Sequence, residues 1–277
     1  MQRYENYLIV SDLDGTLIDS TQNISNENIN AISSFVKSGG LFTIATGRTE
    51  INVLPYIKKL EINCPCILYN GAVIYDINRK KFLKCNFIDN QYLLNPLQNI
   101  LKTYKDLCLQ IFTEGKMFIV SDKRKIDPYV ILEKQPYEMA QINDIKDEPW
   151  IKIILNDTSD VLLNIQSYLN NKVPKGIIST VFSNPTYLEI LPFGVSKGSA
   201  LSELVKIIGI NKKRVIAIGD YYNDIEMIKT AWIGVTTGNA PPLLKKVADI
   251  TVVNNDNHAL FYLIKYVIPN LENEITL

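Results

Sequence analysis

Six polar side chains follow predicted buried strands or open the helices between them, and these residues are the best placed to do chemistry. They are Asp12, Asp14, Thr46, Lys197, Asp220 and Asp224. In open α/β sheets, ligands bind outside the carboxyl ends of the strands. We therefore expect the four carboxylates to converge on one rim of a sheet, together with the lysine and the threonine.

Four carboxylates in one cleft repel one another, and most of them cannot remain ionised without a cation. No histidine lies near these motifs in the sequence, so oxygen atoms are the available ligands, and Mg²⁺ is the cation that this set favours. Mg²⁺ commonly shares its coordination shell with a substrate phosphate. Thr46 and Lys197 offer such a phosphate a hydroxyl group and a compact positive charge, and the backbone near Gly15 adds N–H groups.

The expected chemistry is phosphoryl transfer to a carboxylate. An aspartate is a competent nucleophile toward phosphorus once a metal ion and a lysine neutralise the phosphoryl oxygens. A second acid two residues further on can protonate the leaving alcohol and then activate water. Asp12 and Asp14 have this spacing, on a loop where both can face the cleft.

Strands and helices alternate in the first and last parts of the chain, which predicts a doubly wound parallel sheet. The predicted strands cover residues 7–10, 41–45, 66–69, 214–218, 232–235 and 249–253. Ser25 caps a predicted helix that Gly39 and Gly40 end. Further helices are predicted up to about residue 60 and over residues 199–208, 224–230, 241–247 and 259–268.

The middle of the chain has a different pattern, with paired strands and short turns. Residues 108–112 pair with 117–120 in this prediction, and 177–182 pair with 187–191. Helices near 93–104 and 161–169 flank a strand at 151–155. We therefore expect an inserted α+β cap, or lid, at residues 81–189, with an antiparallel sheet. Residues 1–80 and 190–277 would form one discontinuous catalytic core.

Composition excludes several classes of function. The chain has 277 residues and a single histidine, so a zinc site of several imidazoles is impossible and a Ser-His-Asp triad would need His258. We expect His258 to lie at the surface or the cleft rim. The 29 Lys+Arg against 29 Asp+Glu leave no basic excess for nucleic acid or an anionic membrane.

The N-terminal apolar run is short, and no apolar run approaches the roughly 18 residues of a membrane span. We expect a cytoplasmic protein without a signal peptide. The four cysteines are too few for a disulfide framework in a chain of this length, and we expect them to be reduced and buried. No motif indicates an oligomeric state.

Four motifs in order resemble the haloacid dehalogenase superfamily of phosphohydrolases, and more narrowly its Cof-like group, subclass IIB. They are Asp12–Thr16, Ala45–Arg48, Val195–Gly198 and Gly219–Asp224. Supporting matches are Tyr69–Ala72 and Thr237–Ala240. The resemblance covers the whole chain and has the insertion between the second and third motifs.

The resemblance implies a role for each matching residue. Asp12 would be the nucleophile and a Mg²⁺ ligand, and Asp14 would be the general acid/base and a ligand through its backbone carbonyl. Asp220 and Asp224 would complete the metal site. The phosphoryl group would be held by Thr46, Gly47, Lys197 and Asn223. The cleft would be lined by Arg48, Asn70, Gly71 and Asn239.

The leading hypothesis is a Mg²⁺-dependent phosphatase of small phosphomonoesters, with sugar phosphates first among them. A hexose phosphomutase of the same subclass is an alternative and would depend on a sugar bisphosphate activator. A phospho-accepting signalling receiver shares the Asp, Thr and Lys set, but the inserted segment and the Gly219–Asp224 motif disfavour it. Taken alone, Asp12–Gly15 is also compatible with an Asx turn, and Lys197 with a solvated lysine at a helix start.

Overall fold

The computed structural model describes residues 4–121, 125–132 and 134–270. The elements of the first part of the chain are β1 (Leu8–Ser11), α1 (Asn26–Lys37), β2 (Leu41–Ile44), α2 (Glu50–Ile57), β3 (Cys66–Leu68), β4 (Val73–Asp76) and β5 (Lys81–Cys85). The middle part contains α3 (Leu94–Thr103), β6 (Cys108–Thr113), β7 (Lys116–Ile119), α4 (Pro128–Leu132), β8 (Glu138–Met139), β9 (Lys152–Asn156), α5 (Ser159–Lys172), β10 (Ile178–Asn184) and β11 (Tyr187–Pro192). The last part contains α6 (Lys197–Ile208), β12 (Val215–Gly219), α7 (Ile225–Thr230), β13 (Ile233–Thr236), α8 (Pro242–Val247), β14 (Ile250–Thr251) and α9 (Ala259–Tyr262), which continues into a π-helix at Leu263–Val267.

The chain folds into two compact units. The first contains the described residues up to Arg48, Val53–Leu83, and the described residues from Ser196 onward. The second contains Thr49–Asn52 and Lys84–Val195.

The first unit is built on a five-stranded sheet with the order β14-β13-β12-β1-β2. All of its strand pairs are parallel, as the strand–helix alternation predicts. β1 lies between β12 and β2, where the order along the chain reverses, and this is the place in such sheets where ligands bind. Every residue of β1 and of β12 is buried, which explains why both read as continuous apolar runs.

Apolar faces of the flanking elements close the core of the first unit. Leu201 and Leu204 of α6 pack with Val10 of β1 and with Val215 and Ala217 of β12. On α1, the side chain of Ser25 accepts a hydrogen bond from Asn28 N, so the predicted cap is formed. These contacts fix the strand ends that carry the site.

The second unit has a six-stranded sheet with the order β10-β11-β9-β6-β7-β8. The predicted hairpins β6–β7 and β10–β11 are both antiparallel. Helices α3 and α5 pack through Leu97 and Leu162 onto the face of the sheet that carries Leu109 and Ile153. Trp150 is fully buried in this core and donates from Nε1 to the carbonyl of Ile145 at 2.8 Å.

Some elements differ from the sequence prediction. β8 pairs parallel to β7, so the second sheet is mixed rather than purely antiparallel. The predicted strand at 249–253 is only Ile250–Thr251 because β14 is an edge strand with one neighbour. The strand predicted at 66–69 for the parallel sheet is β3, which instead pairs antiparallel with β4 in a three-stranded sheet with the order β3-β4-β5 and is joined to the strand region after β2 by a bridge from Ile67 to Ala45. The helix after Ala259 changes to a π-helix, which was not predicted.

None of the helices in the described part of the chain is long and apolar enough to cross a membrane. All four cysteines are free thiols in this structure; Cys64, Cys66 and Cys108 are buried, and Cys85 is half-buried.

Candidate active site

Three carboxylates meet at the carboxyl end of the parallel sheet. Asp12 continues from β1, and its backbone N–H donates to the carbonyl of Ile218 on β12 at 2.8 Å. Asp220 follows directly after β12, and Asp224 lies at the start of α7. One oxygen from each of these three aspartates lies within 4.8 Å of the other two.

Lys197 is the buried cation of this cluster. Its Nζ donates to Oδ1 of Asp12 at 2.6 Å and to Oδ1 of Asp224 at 2.7 Å, and the side chain is fully buried. Ser196 and Ser199 form a reciprocal capping box that fixes the first turn of α6 and therefore the position of Lys197. The alternative of a solvated lysine at a helix start is wrong.

Backbone donors hold the second oxygen of Asp224. Oδ2 accepts from the N–H groups of Asp220 at 2.9 Å and Tyr221 at 3.0 Å. A Cβ on Gly219 would collide with this carboxylate, so the end of β12 must be a glycine for the loop to close around it. Asp224 is therefore bound at both oxygens by this loop and by Lys197.

Asp220 is oriented from both sides. Its Oδ1 accepts from Thr16 Oγ1 at 3.2 Å, and its Oδ2 accepts from Asn239 Nδ2 at 3.3 Å. Asn239 also donates to the carbonyl of Gly15 at 2.8 Å. Gly15 has φ +71°, and a Cβ there would collide with Asp220. The loop after β1 thus carries a glycine for both conformational and steric reasons.

Burial and mutual repulsion raise the pKa values of two acids of the cluster. Burial, followed by the charge of Asp224, raises the pKa of Asp12 well above its usual value although Lys197 opposes the shift. The same two causes raise the pKa of Asp220 to about 7. For Lys197, burial lowers the pKa, but the charges of Asp12 and Asp224 exceed this effect and raise it overall. The cluster therefore carries more negative charge than one lysine offsets.

The donor chemistry of the cluster fits a hard divalent cation such as Mg²⁺. Asp12, Asp220 and Asp224 offer only oxygen ligands, which converge without a cationic partner for Asp220 among the described residues. His258 takes no part in this set, since its imidazole is 40% exposed and lies 3.8 Å from Glu27. The histidine is a surface residue, as predicted.

Thr46 and two asparagines form a second polar group beside the acids. The carbonyl of Thr46 accepts from Asn70 N at 3.0 Å, and Asn223 Nδ2 donates to Asn70 Oδ1 at 3.0 Å. Asn70 is 1% exposed, yet its Nδ2 has no hydrogen-bond partner among the described residues. A Cβ on Gly47 would approach this amide to 3.0 Å. Gly71 follows Asn70 in a left-handed turn and lies against Ser196.

The side chain of Asp14 does not join the cluster, contrary to the expectation that four carboxylates converge. Arg48 Nε donates to Asp14 Oδ2 at 2.9 Å, and Nη2 donates to Oδ1 at 2.7 Å. This two-pronged ion pair turns the carboxylate toward the loop after β2, and 49% of the Asp14 side chain is exposed. The family resemblance implies only that Arg48 lines the cleft, so this pairing with Asp14 was not predicted.

Known proteins are similar to this chain in sequence and in fold. A sequence profile of the haloacid dehalogenase-like hydrolases matches residues 9–264. The chain belongs to this family. A curated relative from Bacillus subtilis strain 168, 5-amino-6-(5-phospho-D-ribitylamino)uracil phosphatase YcsE, is 28% identical over 254 residues, which cover 90% of each chain.

Solved structures agree with this family assignment. A haloacid dehalogenase-like hydrolase from Bacteroides thetaiotaomicron is 29% identical, with a TM-score of 0.81 over 96% of this chain and 100% of that one. A sugar phosphatase of subclass IIB of the superfamily has the same fold at 18% identity, with a TM-score of 0.80 over 94% of this chain and 98% of that one. The predicted resemblance to the haloacid dehalogenase superfamily is confirmed, and its narrower placement in subclass IIB stays a prediction.

Two contacts of this hydrolase were missed at the level of sequence. Thr16 lies in the first motif, and its position there was the available signal that its hydroxyl contacts the acidic site. Tyr56 lies under Arg48, with 4.5 Å between the guanidinium carbon and the ring centroid. The sequence carries no signal for this stacking because it depends on how α2 follows the loop after β2.

Proposed function

We propose that this hydrolase is a Mg²⁺-dependent phosphatase of small phosphomonoesters that passes the phosphoryl group through Asp12. The observation that carries the proposal is the buried ion-paired set of Asp12, Lys197 and Asp224 at the end of the central strand. A buried carboxylate with a bound ammonium group is suited to nucleophilic attack on a phosphoryl group whose charge that ammonium offsets.

The proposed reaction has two steps with balanced bonds. In the first, an oxygen of Asp12 forms a bond to phosphorus while the ester P–O bond breaks, and Asp14, which has to enter this step as the protonated acid, gives its proton to the leaving alcohol oxygen. In the second, Asp14 takes a proton from water, the water oxygen bonds to phosphorus, and the bond to Asp12 breaks. The products are the alcohol and inorganic phosphate, and both aspartates return to their starting state.

Thr46, Gly47, Lys197 and Asn223 would bind the phosphoryl oxygens. The Thr46 hydroxyl accepts a hydrogen bond from Arg48 N at 3.2 Å, which leaves its own proton free to donate to a substrate. The Asn223–Asn70 contact orients both amides, and the unpartnered Asn70 Nδ2 supplies a further donor beside Gly47.

Asp12, Asp220 and Asp224 would hold Mg²⁺, together with the backbone carbonyl of Asp14. When bound, Mg²⁺ neutralises phosphoryl oxygens and so lowers the barrier to attack by a carboxylate. The orientation of Asp220 by Thr16 and Asn239 supports this assignment, because residues that orient a metal ligand are a usual part of such sites.

The substrates that we propose are phosphate esters of sugars or of related polyols. The ribityl phosphate named for the relative from Bacillus subtilis is a substrate of this kind. This part of the proposal is tested by a kinetic screen with phosphorylated sugars, polyols, nucleotides and cofactors. Preference for nucleotides over all sugar and polyol phosphates would contradict it.

The nucleophile and the metal are tested with p-nitrophenyl phosphate. We expect Asp12→Asn to abolish turnover and EDTA to remove the wild-type activity until Mg²⁺ is restored. Asp160→Asn, at an exposed aspartate in the first turn of α5, is the matched control and should retain full activity. Retained turnover in a folded Asp12→Asn variant would refute the assignment.

A further inference from the structure

Arg48 binds both oxygens of Asp14, the residue that the proposed function makes the general acid/base. The contacts run from Nε to Oδ2 at 2.9 Å and from Nη2 to Oδ1 at 2.7 Å. The two partners differ in exposure: 12% of the Arg48 side chain is exposed, but 49% of the Asp14 side chain is. The arginine is thus the fixed member of the pair, and the aspartate is the member that solvent and substrate reach.

Three further contacts hold Arg48 itself. Its backbone N–H donates to Thr46 Oγ1 at 3.2 Å, and its carbonyl accepts from Tyr69 N at 3.1 Å. Its guanidinium group lies over the ring of Tyr56 at 4.5 Å. A planar guanidinium group stacked on an aromatic ring and bound to a carboxylate by two hydrogen bonds has little rotational freedom.

We infer that Arg48 is a positioning residue, which holds the carboxylate of Asp14 in a fixed place relative to Thr46 in the loop after β2. This inference rests on the proposed function, since it concerns the residue that donates the proton to the leaving group. Asp14 is itself exposed, although most of its loop is buried, and it has no other side-chain hydrogen-bond partner among the described residues. Without Arg48, the carboxyl group would sample several rotamers, and proton transfer depends strongly on position.

The competing role for Arg48 is direct binding of the phosphoryl group, and a role in binding the sugar part of the ester is separated from both by the double variant with Asp14→Asn. The two roles differ in how they depend on the leaving group. An alcohol leaves well only if it receives a proton, but p-nitrophenolate leaves without one. A residue that acts through Asp14 therefore affects esters of alcohols, and a residue that binds the phosphoryl group affects all esters alike.

The test compares kcat/KM for a hexose 6-phosphate and for p-nitrophenyl phosphate, because kcat/KM reports the step in which the leaving group departs. We expect Arg48→Ala to lower kcat/KM for the hexose phosphate by about 10- to 100-fold and that for p-nitrophenyl phosphate by less than about 3-fold. Arg48→Lys should restore only part of the loss, because an ammonium group cannot bind both carboxylate oxygens as the guanidinium group does.

The matched control is Arg79→Ala. Arg79 pairs with Asp76 at 3.7 Å in the same unit, but its side chain is 80% exposed, and neither residue lies in the site. We expect no change in either kcat/KM. Melting temperatures of all variants identify any loss of folding, and Arg48→Lys serves if the alanine variant does not fold.

A double variant separates failure of the inference from failure of the proposed function. Asp14→Asn alone should lower kcat/KM for the hexose phosphate and leave that for p-nitrophenyl phosphate nearly unchanged. Adding Arg48→Ala should then lower neither value further. An additive loss, or an equal loss with both esters in Arg48→Ala, would overturn the inference while leaving Asp14 as the acid. If Asp14→Asn lowers kcat/KM equally for both esters, the acid/base assignment in the proposed function is wrong, and the inference about Arg48 is then wrong as well.

Discussion

At the scale of single residues, the site depends on one buried ammonium group. Lys197 contacts two carboxylates, Asp12 and Asp224, and all three side chains are almost completely buried. Removal of one partner from such a set leaves charges buried without compensation, which is far more destabilising than the loss of a surface ion pair. Lys197 is therefore expected to matter both for the stability of the first unit and for the candidate site.

We predict that Lys197→Met abolishes activity and lowers the free energy of unfolding by about 3–5 kcal/mol. The control is Lys206→Met in the same helix, where Lys206 is 71% exposed and contacts Glu203 at 2.9 Å. That change should cost less than about 1 kcal/mol. Urea denaturation of both variants checks the prediction. Equal losses of unfolding free energy would show that the buried contacts of Lys197 stabilise the fold no more than a surface ion pair does.

The titration of the acids predicts how Mg²⁺ binding depends on pH. The pKa of Asp220 is raised to about 7 and that of Asp12 well above its usual value, chiefly by burial and by Asp224. In the unfolded chain both groups titrate at about 4, so the folded state binds their protons more tightly. Their ionisation therefore destabilises the metal-free fold increasingly as pH rises from about 4 through about 7.

Mg²⁺ should relieve this repulsion when the acids are ionised, whereas at lower pH it must first displace protons. We predict that saturating Mg²⁺ raises the melting temperature more at about pH 8 than at about pH 6. Differential scanning fluorimetry measures both shifts, with Asp12→Asn as the comparison that lacks one ligand. An equal shift at the two pH values would contradict the cause assigned to the raised pKa values.

At the scale of elements, the ends of two parallel strands and the loops after them build the site. The loop after β1 reaches Asp220 through Thr16 and Gly15, and the loop after β12 wraps around Asp224. Helix α6 adds Lys197 at its first position through a serine capping box. Local backbone conformation therefore decides the geometry of the carboxylates.

We predict that Gly15→Ala weakens Mg²⁺ binding more than it weakens the fold. Gly15 has φ +71°, and a Cβ there would collide with Asp220. Gly209, at the end of α6, has φ +70° with open space around it, so Gly209→Ala isolates the conformational cost of about 1–2 kcal/mol. Isothermal titration with Mg²⁺ should show a loss of affinity only for Gly15→Ala, and unchanged affinity there would refute the steric argument.

At the scale of the whole molecule, two cores stabilise two units, and the candidate site lies entirely in the first. We predict that Mg²⁺ slows amide exchange in α6 and β12 and leaves α3, α5 and β9 unchanged. Hydrogen exchange with mass spectrometry, with and without Mg²⁺, measures this. Equal protection of the two units on addition of Mg²⁺ would contradict a metal site that lies only in the first unit.

Much of this architecture follows from the sequence because β1 and β12 are nearly continuous apolar runs and each is followed directly by an aspartate. β1, β12 and the motifs after them were predictable for that reason, and so were the convergence of Lys197 with the acids that follow these strands and the hairpins of the second unit. The pairing of Asp14 with Arg48 was not predictable, since it depends on side-chain direction across two loops. The two-residue strand β8 and the π-helix depend on tertiary packing and leave no periodic pattern.

The central claim is that Asp12 carries the phosphoryl group during turnover. Rapid acid quench of the wild-type enzyme with a phosphate ester and Mg²⁺, followed by proteolysis and mass spectrometry, tests it most directly. We predict a peptide whose mass is increased by one phosphoryl group located on Asp12, absent in Asp12→Asn. Turnover with no phosphorylated peptide at any quench time, or with the phosphoryl group on another residue, would contradict the account.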